Sequence, residues 1–242
     1  MSFVLLAALV GFVAGSVASV AGFGIGSLLT PLLGGRFGVK AAVALVSLPH
    51  FAATVLRAWR LRREVDRRVL WQFGLASAAA GLVGALLQDR LGGRALGIVF
   101  GGLLVLAGVT GALGLSSRVR FGRRAAWIAG LLSGALGGLV GNQGGIRSAA
   151  LFGFDVRKEA FVATATAIGV VVDLARVPVY VATQGPVLLR EWRLVAAATA
   201  GALVGTLAGE RVLRRVPERW FRLIVSLLVL ALGVAVLAGV GR

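Results

Sequence analysis

No cysteine occurs among the 242 residues, and there are only one histidine, one methionine, one tyrosine and nine acidic residues. The missing cysteines exclude disulfides and thiolate metal sites. A single histidine cannot build a histidine metal centre, and Asp173, the one aspartate within the apolar segments, cannot form a paired-aspartate protease. The alternation of a membrane barrel is absent as well. No linker or low-complexity stretch marks a soluble domain. No basic region precedes the first apolar run, so that run is expected to be retained rather than cleaved.

What the chain has is apolar length. Hydrophobic residues make up 58% and charged residues 14%, with a mean hydropathy of +0.94. The apolar segments run over 3–33, 39–59, 69–88, 95–115, 125–154, 160–182, 193–210 and 221–240. Most have the roughly 20 residues that cross about 30 Å of hydrocarbon. This predicts an all-α polytopic membrane protein. The first and fifth segments are longer and contain glycine-rich breaks, which predicts two half-helices and a turn in each. The net charge of +17 comes from arginines between the apolar segments, where they orient loops; nucleic acid is not an expected partner.

The breaks repeat. GFGIG at 22–26 and GNQGG at 141–145 lie 119 positions apart, and the same offset pairs Gly11 with Gly130, Gly15 with Gly134, and Arg57 with Arg176. With small gaps the match continues through Gly81 and Gly201, then Asp89-Arg90 and Glu210-Arg211, to the string LLVLA that begins at Leu103 and at Leu227. The chain therefore reads as a duplication, with halves 1–120 and 121–242. If each half crossed four times in one sense, 12 basic residues would lie inside and 11 outside, with Arg57, Arg147 and Arg176 set aside as intramembrane. If each first segment is re-entrant and the second half inverted, the division becomes 16 and 7. The positive-inside rule favours inverted repeats, each a re-entrant segment followed by about three transmembrane helices.

Two such breaks facing one another would present half-helix N-termini suited to an anion. The candidate substrate-binding residues are Gly22, Gly24, Gly26, Gly141, Asn142, Gln143, Gly144, Gly145 and Arg147. Asn142 and Gln143 make the second break the more polar one, and Arg147 is a charge at membrane depth, where function is the default reading. The GxxxG pairs Gly11/Gly15, Gly130/Gly134 and Gly137/Gly141 are better explained by close helix packing.

A second polar group follows each break. His50, Thr54 and Arg57 share one helical face, and Gly169, Asp173 and Arg176 align with them. His50, Arg57, Asp173 and Arg176 are the candidates for coupling or gating. Asp173 and Arg176, three apart, are expected to pair, and Pro49 to kink its helix.

These residues resemble the sulfite exporter TauE/SafE family of membrane transporters. The resemblance spans nearly the whole chain and rests on two related halves with glycine runs of G-x-G-G-G type, here Gly22 to Gly26 followed by Pro31, and Gly141 to Gly145. Ile25 replaces one glycine, and Ala150 stands where Pro31 aligns. The resemblance implies secondary transport of small anions, such as sulfite or the organosulfonate sulfoacetate, in the bacterial inner membrane. Asp173 and His50 point to H⁺ as the coupling ion. No cofactor or metal is expected, and no enzymatic activity. The expected partners are a small anionic substrate and the lipid bilayer, with a homodimer left open. A passive anion channel and a membrane scaffold are the alternatives.

Overall fold

The computed structural model describes residues 2–21, 24–114, 123–141, 144, 147, 151, 158–213 and 218–239. Within these the chain forms eight long helices: α1 (Phe3–Ala21), α2 (Ile25–Leu61), α3 (Arg67–Gln88), α4 (Gly93–Ala112), α5 (Arg123–Val140), α6 (Lys158–Arg190), α7 (Trp192–Leu213) and α8 (Glu218–Leu237). Five stretches among the described residues are long and apolar enough to cross a membrane, Ile25–Glu64, Arg67–Gln88, Gly93–Ala112, Ala160–Arg190 and Trp192–Gly209. Leu86, Ile98, Leu106, Leu132 and Val204 lie more than half exposed. That placement suits hydrocarbon, since in water such surface would cost about 25 cal/mol per Å². The protein is a multi-pass helical membrane protein.

The first break falls where the glycines predict it, between Ala21 and Ile25. Beyond it the expected segments 3–33 and 39–59 are divided differently, because α2 runs from Ile25 to Leu61 with one non-helical residue, Gly38. Dihedrals stay helical through Pro49, so the interruption in α2 belongs to Gly38 rather than to the proline. α6 likewise continues beyond residue 182 to Arg190, with Gln184 as its irregular residue. A π-helical turn over Leu70–Gly74 lies within α3.

Helices pair across the two halves. α1 packs on α7, and α5 packs on α3; α2 lies against α7, and α6 against α3; α2 meets α6, and α4 meets α8. Exchanging α1 to α4 with α5 to α8 leaves this pattern unchanged. Small residues make the closest of these contacts possible. A Cβ on Gly11 or Gly15 would strike the backbone of Ala198 or Ala202, and one on Gly134 would strike that of Ser77. Without water to drive association, such backbone approach supplies the dispersion contacts that hold membrane helices together. Gly11, Gly15, Gly130, Gly134 and Gly141 are thus at or beside helix contacts, as their spacing suggests.

The main apolar core joins α1, α2, α4 and α7, and a second cluster joins α3 to α6. α2 and α6, which pack on one another, carry most of the buried polar side chains.

Candidate functional site

The two breaks meet. Gly24 has φ +143° and Gly141 φ +73°, conformations that a Cβ would strain. A Cβ on Gly26 would run into the Gly141 carbonyl, so the start of α2 lies directly against the end of α5. The N-terminus of α2 has no side-chain cap; its first regular bond runs from the Leu28 amide to the Gly24 carbonyl at 3.0 Å. Gly144 is buried and helical. Gly22, Asn142, Gln143 and Gly145 lie outside the described residues.

Each break is braced by an arginine from the following long helix. Arg57 Nη1 donates to the Ala18 carbonyl, and Arg176 Nη1 donates to the Gly137 carbonyl. Donors and acceptors are both separated by 119 positions, so the same bond occurs once in each half. The chemistry explains the choice. Ala18 and Gly137 stand in the last turns of α1 and α5, where a cation is favoured by the helix dipole, and the Gly137 carbonyl accepts from the Gly141 amide at 2.9 Å as well as from the arginine. Tyr180 adds a third brace, its hydroxyl donating to the Gly138 carbonyl.

Asp173 holds the centre of a buried ionic group. Its Oδ1 accepts from Arg176 Nε at 2.8 Å and Nη2 at 2.7 Å, and its Oδ2 lies 2.7 Å from His50 Nδ1. The expected Asp173–Arg176 pair is therefore present, and His50 joins it from α2. A proton on Nδ1 makes His50 the donor to the carboxylate. Thr54 Oγ1 stands 3.5 Å from the same nitrogen, at the limit of hydrogen-bond reach. The carboxylate itself is 0% exposed.

Arg147 is different. It is 2% exposed, yet neither its Nε nor its Nη1 has a hydrogen-bond partner among the described residues. Arg57 Nε is also without one there. With His50 neutral, Arg57, Arg147, Arg176 and Asp173 leave two positive charges uncompensated among the described residues. Each buried ion costs several kcal/mol even after relaxation, unless a counter-charge accompanies it.

The structure thus gathers His50, Asp173 and Arg176 by direct bonds and sets Gly26 against Gly141. Arg57 acts through a helix end, at a different bond from the other three. Tyr180 was not among the sequence candidates, although it is the only tyrosine and falls on the stripe of Asp173 and Arg176 at i+7. Among the described residues no group of three or more His, Cys, Asp or Glu could hold a metal ion.

The sequence model of the Sulfite exporter TauE/SafE family matches residues 7–236, nearly the whole chain. The chain belongs to the sulfite exporter TauE/SafE family. Membership makes it, at the level of the family, a membrane transporter rather than an enzyme. No curated protein and no solved structure matches it. In this TauE/SafE protein, Arg147 is the buried cation least satisfied by its described surroundings.

Proposed function

We propose that this TauE/SafE protein is a secondary transporter of a small oxyanion, sulfite or an organosulfonate such as sulfoacetate, in the bacterial inner membrane. The observation that carries this reading is the buried guanidinium of Arg147, whose Nε and Nη1 have no hydrogen-bond partner among the described residues, beside an ion group that is already paired. A planar fork of donors suits the oxygens of a sulfite or sulfonate, and the anion supplies the missing charge. Gly26 of the first break lies against Gly141 of the second, and Asn142 and Gln143 are the further amide ligands of this reading. The two halves, 1–120 and 121–242, form inverted repeats whose first segments are re-entrant, a plan that sets a substrate site at the bilayer midplane. His50 and Asp173 are the titratable pair available for H⁺ coupling, and their bond joins α2 to α6. Arg57 and Arg176 hold the ends of the broken helices and so act on gating.

The test is accumulation in proteoliposomes. Purified protein facing a proton gradient should concentrate ³⁵S-sulfite or sulfoacetate beyond equilibrium, and an uncoupler should release it. Equilibration without accumulation would replace the transporter with a passive channel. No flux of either anion would remove the substrate class.

A further inference from the structure

The two halves differ at one buried spot in a way that the duplication makes visible. At the 119-residue offset His50 corresponds to Gly169, and Leu28 corresponds to Arg147. In the first half a large side chain stands on the long helix and an aliphatic one on the segment after the break. In the second half the long helix has no side chain at all, and the segment after the break carries the guanidinium. A Cβ built on Gly169 would lie 3.0 Å from Arg147 Nη1, 3.6 Å from its Cζ and 3.2 Å from Thr54 Cγ2. A side chain at 169 would therefore meet Arg147, whereas the equivalent position of the first half carries His50.

We infer that Gly169 is a positioning residue for the anion site: by having no side chain it lets Arg147 lie against α6 with its Nη1 unpaired, and so determines where the bound oxyanion sits. This rests on the assignment of Arg147 as the anion ligand. The site is then asymmetric although the scaffold repeats. The first half contributes His50 and Thr54, and the second half contributes the anion-binding cation and the room for it. Gly169 is helical and buried, and glycine is a poor helix former, so helix stability alone would favour alanine there. Its presence is explained by the guanidinium that crosses it.

The experiment is a double-mutant cycle on the full-length protein, reading sulfite and sulfoacetate affinity by thermal shift and KM against kcat in proteoliposomes. Gly169→Ala displaces the guanidinium by a few tenths of an ångström and should weaken binding several-fold. Gly169→Val should weaken it on the order of 100-fold, since a misplacement of about 1 Å costs that much. KM should rise more than kcat falls, with the anion-free melting temperature unchanged or higher for alanine. In an Arg147→Lys background, which lacks the Nη1 atom, Gly169→Ala should have no further effect. If Gly169→Ala costs the same affinity whatever stands at 147, or if both Gly169 variants bind like wild type while Arg147→Lys binds poorly, the positioning role is wrong and the anion site stands. If Arg147→Lys and Arg147→Met both bind like wild type, the site itself is misassigned, and this inference falls with it.

Discussion

Replacing Arg147 with methionine should raise the stability of the anion-free protein and abolish its response to anions. The first effect follows from burial. Arg147 is almost fully enclosed, and two of its nitrogens lack partners among the described residues. Exchanging buried ionic groups for apolar residues of similar volume is often neutral or stabilising by about 1–4 kcal/mol. For a chain of this length that is a rise of several degrees in melting temperature, at about 2–4 °C per kcal/mol. The second effect follows from removing the charged donor that the anion would meet. A hydrogen bond to a charged group contributes about 1.5–3 kcal/mol, so affinity for the oxyanion should fall by roughly 100-fold. Melting curves of both proteins with and without sulfite check both signs at once. A variant that is less stable yet still responds to sulfite would make Arg147 a structural residue.

The largest loss of stability should come from Asp173→Asn. The substitution keeps the shape of the side chain and removes the only negative charge in the described buried ion group. Arg176 then faces His50, Arg57 and Arg147 with no counter-ion, and two of its donors lose a charged acceptor. Breaking a buried pair by removing one partner costs about 3–5 kcal/mol. The melting temperature should drop by roughly 10 °C, measured in detergent by fluorescence-detected size exclusion. Adding Arg176→Met should recover part of the loss, because the stranded charge goes with it. Recovery stays partial because Arg176 also braces the Gly137 carbonyl at the end of α5. Wild-type stability in Asp173→Asn would mean that the carboxylate does not balance these cations.

The first break was legible because three glycines within five residues interrupt an apolar run, and the helices do end and begin there. Asp173 and Arg176 were legible because a spacing of three puts them on one face of a helix. Gly38 was harder to see. It sits between two apolar runs beside Arg36 and Lys40, where a loop and a broken continuous helix share the same composition. The roles of Arg57 and Arg176 were hidden for another reason. Both were identified as buried charges, but the carbonyls they meet are 39 positions away, and nothing local says which helix end a long helix will pass. Once the structure pairs them, the offset of 119 appears in the acceptors too, where no side chain marks it. The packing of α1 on α7 and of α5 on α3 was likewise beyond reach, since many small-residue stripes could fit one another. Tyr180 was within reach by its spacing and by being the only tyrosine.

The most direct measurement is the melting temperature of the purified wild-type protein in sulfite, sulfoacetate, sulfate and acetate, against chloride of matched ionic strength. If Arg147 binds a small sulfur oxyanion, sulfite or sulfoacetate at about 100 times its Kd should add about 2.7 kcal/mol of stability. That corresponds to a rise of roughly 5–10 °C. Acetate should give much less. Identical melting temperatures in all five anions would contradict a sulfur-oxyanion site at Arg147.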